Sequence, residues 1–299
     1  MQMFSTFDAY TGALLKNVYI RNDELLKGIS REIALSDLLG YEDLNSVKRA
    51  MLEKEIETFR RDSYVEQFAT LEKKFNLPLR KFKEWGEFVE LSQRRNLYTH
   101  NDGAVNDQYL LVCDREGYQF AVRPKLSDVL PVNQEYFFRA GRLLAKVGLM
   151  LGYTLWSKVF PKESDYLHEA LNNALYRSLN QARWRFVAEL EDFVFSDQMR
   201  KNLKEIDYRI RLVNVAIALK FSGSSDASCR LLHSVDWSAS YRDFKLSIAV
   251  IEERYADAVE IMEGIGKSGE IIRQSAYQTP EEAMAQELDE FQQRVALDS

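Results

Sequence analysis

The chain has 299 residues, 46% of them hydrophobic and 29% charged, with a formal net charge of −6. That length suits one or two domains, each able to bury its own core, and the composition is that of an ordinary soluble globular chain. The acidic balance excludes broad coating of nucleic acid, although it leaves room for a small local basic site.

Helical apolar spacing covers residues around 8–27 and 44–75. In the second stretch Leu52, Ile56, Phe59, Tyr64, Phe68, Leu71 and Phe75 recur at threes, fours and fives, an amphipathic stripe facing a core. Asn76-Leu77-Pro78 breaks this stripe, and Pro78 is expected to open a helix that runs to His100. Lys73-Lys74, Arg80-Lys81-Phe82-Lys83 and Arg183-Trp184-Arg185 form basic clusters, each read singly as a solvated helix face.

The run Arg94-Arg95-Asn96-Leu97-Tyr98-Thr99-His100-Asn101-Asp102-Gly103 holds one of only three histidines in the chain. Imidazole moves protons near neutral pH, and guanidinium offers a phosphate a planar fork that stays charged. RNA cleavage without a metal needs both, because the 2'-hydroxyl loses a proton, phosphorus gathers negative charge and the leaving 5'-oxygen gains a proton. Residues four apart share a helix face, so Asn96 and His100 are neighbours, whereas Arg95 and His100 diverge by roughly 140°. Asn101-Asp102-Gly103 is a helix stop, which puts His100 in a last turn where a long arginine could reach back to it. Taken alone, the same residues are also ordinary C-terminal chemistry, since cations offset the helix dipole there.

The run resembles the Arg-x4-6-His motif of HEPN-type ribonucleases, with Arg95, four residues and then His100. Asn96 supplies the polar residue that follows the arginine in that motif, and Trp85 to Gln93 looks like the helix that delivers it. The resemblance covers roughly residues 1–160 and implies a helical bundle that cleaves RNA without a metal, leaves a 2',3'-cyclic phosphate and works as a homodimer across one cleft. It casts His100 as general acid/base, Arg95 as phosphate clamp, Asn96 as the residue that orients the cleft, and Arg94 as a contact to a flanking phosphate. Family habit adds tRNA as substrate class and a bacterial toxin or anti-phage role. The alternative is a non-catalytic helical scaffold or sensor that dimerises and binds a partner protein.

Beyond the motif, Leu110 to Tyr118 suggests a short extended piece, and Arg123 to Pro131 a non-helical connection. A helix is expected from about Asn133 to Trp156, and Phe160-Pro161-Lys162-Glu163-Ser164 is the expected boundary between domains 1–160 and 161–299. The most apolar run, Val147 to Trp156, is too short to span a bilayer and reads as a buried helix. The first residues lack a basic region followed by an apolar core, so no secretory signal is expected. Cys113 and Cys229 are expected to be free thiols in a reducing cytoplasm. His100, His168 and His233 lie far apart in sequence, so neither a metal nor a cofactor is expected.

The second half carries a different signal. The run from Asn214 to Gly223, with Ala227, Cys229, Leu231 and Leu232 after it, recurs about 31 residues later from Leu246 to Met262. In that register Ala218 aligns with Ala249, Ala227 with Ala258 and Leu231 with Met262. Small residues at helix crossings near a ~34-residue period resemble tetratricopeptide repeats, although the Trp-Leu-Gly-Tyr pattern is missing. A degenerate third pair is expected between about 165 and 198, with Trp184, Phe186, Tyr208 and Trp237 in the core. Such an array would hold a regulatory protein partner. The whole chain is therefore expected to be all-α, with a terminal helix starting near Thr279-Pro280-Glu281-Glu282.

Overall fold

Side-chain caps set many of the helix boundaries. Asn22, Asp43, Ser63, Asn106 and Asn133 each precede a helix and accept a hydrogen bond from a backbone N–H of its first turn. Donors that a helix start leaves open are satisfied in this way. The structure is a computed structural model that describes residues 2–30 and 32–265. Among these the fold is all-α, and the only extended pairing is an isolated bridge between Ala104 and Val129. The chain divides into two compact units, Met1–Leu167 and His168–Ser299. The expected terminal helix near residue 279 lies outside the described residues.

The first unit carries α1 (Gln2–Ile20), α2 (Asp23–Lys27), α3 (Leu35–Leu38), α4 (Leu44–Arg61), α5 (Tyr64–Phe75), α6 (Trp85–His100), α7 (Asp107–Arg115) and α8 (Gln134–Val159). Its core is aromatic. Phe7 meets the Tyr64 ring edge-on at 5.5 Å, Phe88 lies 5.6 Å from Tyr64, and Phe68 lies 5.3 Å from Trp85. Leu144, Val147 and Leu151 of α8 close this core from the other side.

Three local expectations are corrected. The stretch 44–75 is two helices, because Ser63 and Glu66 form a reciprocal capping box that restarts the chain after Arg61. The spacing of five between Phe59 and Tyr64 was the trace of that break. Pro78 does not open a helix: the backbone N–H and the Nε of Arg80 both donate to Glu72, at 2.9 and 2.8 Å, and hold residues 77–84 as turns. Residues 110–115 are helical rather than extended, since Asn106 caps α7 and Tyr109, Val112 and Cys113 bury at helical spacing.

The second unit holds most of α9 (Ser164–Asn180), the short α10 (Trp184–Ala188), α11 (Glu191–Val194) and α12 (Asp197–Arg200), then α13 (Glu205–Phe221), α14 (Ser225–Leu232), α15 (Arg242–Ile251) and α16 (Tyr255–Ile265). Where a full second helix was expected after α9, three single turns follow instead. Buried Arg211 ties the last two to α9: its Nη1 donates to Val194 O and Met199 O at 3.0 and 2.9 Å, and its Nε donates to Asn172 Oδ1 at 3.0 Å. The His168 ring bridges Arg211 Nη2 and Lys201 O. A carbonyl only accepts, so Nε2 carries the proton and Nδ1 takes the arginine's hydrogen.

The same turn ends three helices of the second unit, as it also ends α5 at Asn76 and α7 at Gly117. Ala182, Gly223 and Glu253 all adopt left-handed backbone, at φ 53°, 91° and 62°. In each case the next amide closes back five residues, from Arg183 to Ser178, Ser224 to Leu219 and Arg254 to Ala249, at 2.8–2.9 Å. The last two turns stand 30 residues apart, so Leu219 aligns with Ala249, one residue off the register read from the alanines. The small side chain at the α13–α14 crossing is Ser228, whose hydroxyl donates to Ala216 O at 2.7 Å, while Ala227 is only partly buried. Trp184, Phe186, Tyr208 and Trp237 are half-buried at the core's edge.

One glycine fixes the entry of α6. A Cβ on Gly86 would lie 2.9 Å from the backbone N and Cα of Tyr118, just past α7. Glycine to alanine inside an exposed helix would gain up to ~1 kcal/mol. Here Gly86→Ala instead meets backbone that cannot step aside, and is expected to cost about 1–3 kcal/mol in chemical denaturation; a stabilised variant would refute this contact.

Candidate functional site

Helix α6 stays regular through His100, and Asn101 caps it by donating its N–H to Leu97 O. Asp102 and Gly103 then turn left-handed, at φ 47° and 80°. Glycine is required at 103 twice over, since a Cβ there would also lie 2.9 Å from the Tyr98 ring. Segment 127–131 straps this end of the helix: Val105 donates to Asp128 O, Leu130 to Gly103 O, and the Tyr98 hydroxyl to Leu130 O.

The two arginines have opposite fates. Arg94 is consumed inside the protein, where its Nε donates to Glu90 at 2.6 Å, its Nη1 to Pro131 O at 3.0 Å, and its guanidinium lies 4.2 Å over the Tyr136 ring. Burial works against its charge, but Glu90 and the Tyr136 and Tyr109 hydroxyls outweigh that, and its pKa is raised. An arginine so engaged is spent on structure.

Arg95 has no carboxylate within ion-pair reach among the described residues. Its Nη1 donates to Asn96 Oδ1 at 3.2 Å, its Nε is buried without a partner, and its guanidinium sits 5.8 Å from the Phe4 ring. The guanidinium thus turns toward Asn96 rather than back toward His100. Asn96 is partly buried one turn below His100, and His100 is exposed. The face presents an imidazole, an amide beneath it, and beside the amide a guanidinium that makes no ion pair among the described residues.

Glu90 holds all this in place and was missed in the sequence. It is 1% exposed, and it accepts from Arg94 and from the Tyr109 and Tyr136 hydroxyls, the latter two at 2.8 and 3.1 Å. Its i,i+4 spacing to Arg94 was the available signal. Burial, followed by the Glu90 charge, pushes both tyrosines well above the usual phenol range. The same two influences push the Cys113 thiol up to about 12.

Among the described residues, no three His, Cys, Asp or Glu side chains gather where a metal could be held, and no single helix is long and apolar enough to cross a membrane. An open groove of about 580 Å³ between α1 and α8 is lined by Met3, Phe7, Tyr10, Leu144, Gly148 and Tyr153, none of them in the motif. Compared with known proteins, the chain matches no family model, no curated protein and no solved structure.

Removing one member of a buried ion pair strands the other, so Glu90→Gln is expected to cost about 3–5 kcal/mol in urea unfolding. A loss within ~0.5 kcal/mol would show that Glu90 is not the anchor. The thiols provide a second check. Cys113 is fully buried and its pKa is raised, whereas Cys229 is only partly buried. At pH 8 a thiol reagent should therefore modify Cys229 first and Cys113 only at the rate of unfolding. The proton held on Cys113 stabilises the fold below the unfolded thiol pKa, and that contribution is lost as pH rises toward 12.

Proposed function

We propose that the chain is a metal-independent RNA endonuclease of the HEPN type, acting as a homodimer. The observation that supports this most is Arg95, a partly buried guanidinium left without an anion on the same helix as an exposed histidine five residues on. Unsatisfied buried donors are uncommon and call for a cause, and a substrate phosphate is one that fits.

In this reading His100 takes the 2'-hydroxyl proton as O2' attacks phosphorus in line. The P–O5' bond breaks, and O5' takes a proton from the imidazolium or from the partner subunit's copy of the same histidine. The products are a 2',3'-cyclic phosphate and a 5'-hydroxyl. Arg95 stabilises charge on the non-bridging oxygens, and Asn96 fixes the direction of the guanidinium. A bacterial toxin or anti-phage role, tRNA as substrate and a cytoplasmic site of action follow from the resemblance. The consecutive pairs α13–α14 and α15–α16, whose turns at Gly223 and Glu253 stand 30 residues apart, support a tetratricopeptide-like array that receives a regulatory partner. The apolar α1–α8 groove favours the second reading, a scaffold that binds another protein.

Purified protein incubated with total RNA and bulk tRNA in EDTA should cut, leaving cyclic-phosphate ends. His100→Ala should lose about 10²–10⁴-fold in rate and Arg95→Ala about 10²-fold or more, while both keep the parent's melting curve. Cleavage that survives in folded His100→Ala ends the catalytic assignment. A biological effect that survives without any cleavage selects the scaffold.

A further inference from the structure

The first two turns of helix α8 carry Tyr136-Phe137-Phe138-Arg139, after Gln134 and Glu135, and the three aromatic rings are treated differently. Tyr136 turns inward, with its hydroxyl on Glu90 at 3.1 Å and its ring under Arg94 at 4.2 Å. Phe137 and Phe138 remain 47% and 56% exposed, their rings edge-to-face at 6.0 Å. Arg139 lies on the outer side, 5.7 Å from the Tyr136 ring, and its one ion pair, to half-exposed Glu87, is stretched to 4.0 Å. A surface pair at that distance contributes little and exchanges readily.

We propose that this start of α8 is a stacking platform for single-stranded RNA, with Phe137 and Phe138 taking unpaired bases and Arg139 the phosphate between them. Every base has a π-face, so exposed aromatics beside a cation bind single strands with little sequence preference. A duplex hides those faces, and the platform therefore selects loops and ends. The local charge suits a phosphate: among the described residues Arg139 joins Arg95 as a lightly held or unpaired cation. The platform is rigid with respect to the motif, because Tyr136 ties the first turn of α8 to Glu90 and Arg94 of α6. A strand stacked there is delivered to the helix that carries Arg95, Asn96 and His100. That the strand is RNA, and its destination, rest on the ribonuclease reading, whereas the binding of a single strand does not.

The test uses the full chain carrying His100→Ala, so that bound RNA stays intact, and a fluorescein-labelled unstructured ~12-nucleotide RNA against its duplex. Tight binding of the single strand is expected, with about tenfold or greater weakening in Phe137→Ala/Phe138→Ala and recovery in Phe137→Trp/Phe138→Trp. Both side chains are half-exposed, so the melting curve of the double variant should match its parent. Absent binding, equal binding of the duplex, or unchanged affinity in the alanine variant overturns the platform. So does sedimentation in which the alanine variant loses self-association yet keeps its RNA affinity, which would make this face a contact between copies. Cleavage with unchanged KM in Phe137→Ala/Phe138→Ala sinks the platform and spares the nuclease. Stacking-dependent binding with no cleavage by any form sinks the nuclease and spares the platform.

Discussion

A carboxylate buried as deeply as Glu90 costs several kcal/mol unless its oxygens are answered, and here three donors answer them. One comes from α6 itself, one from α7 and one from α8, so satisfying a single side chain sets the register of three helices. The cost makes the arrangement specific. A slide of one residue in α7 or α8 would leave a charge in the core with no partner. The motif end of α6, the strap at 127–131 and the first turn of α8 all depend on this point.

Adjacent arginines show how tertiary placement divides identical chemistry. Arg94 faces the hub and is neutralised by it. Arg95, about 100° further round the helix, faces Asn96 and Phe4 and meets no acid. Electrostatics therefore separates a structural cation from an available one, although both share a residue type and nearly a position. Asn96 matters for the same reason: its carbonyl is the one acceptor Arg95 takes, and it sets the direction of the guanidinium.

The second unit meets a similar demand by another route. Arg211 is fully buried, and its donors end on an amide oxygen, a histidine nitrogen and two backbone carbonyls. Those carbonyls belong to residues at the ends of short turns, where unpaired acceptors and the negative end of the dipole favour a cation. The guanidinium fork thereby stabilises irregular backbone between α9 and α13. Left-handed turns at Ala182, Gly223 and Glu253 end the longer helices on either side of it.

Period and punctuation alone determined much about this protein: an all-α chain, the long α8, a helix ending at His100, and Asn96 beneath His100 on one face. Those features depend on local spacing and capping, which one chain segment carries within itself. The helix break at Ser63 was also legible, as a capping box and a spacing of five, whereas the alanine spacing of about 31 stands one residue off the 30 between the turns. Only the tertiary structure decided which arginine was spent, that Leu110 to Arg115 would coil onto Leu97, and that three helices would converge on Glu90. These outcomes turn on partners distant in sequence, such as Tyr109 and Tyr136, 19 and 46 residues from Glu90. Burial converts a solvated charge into a constraint, and burial is a property of the packed chain.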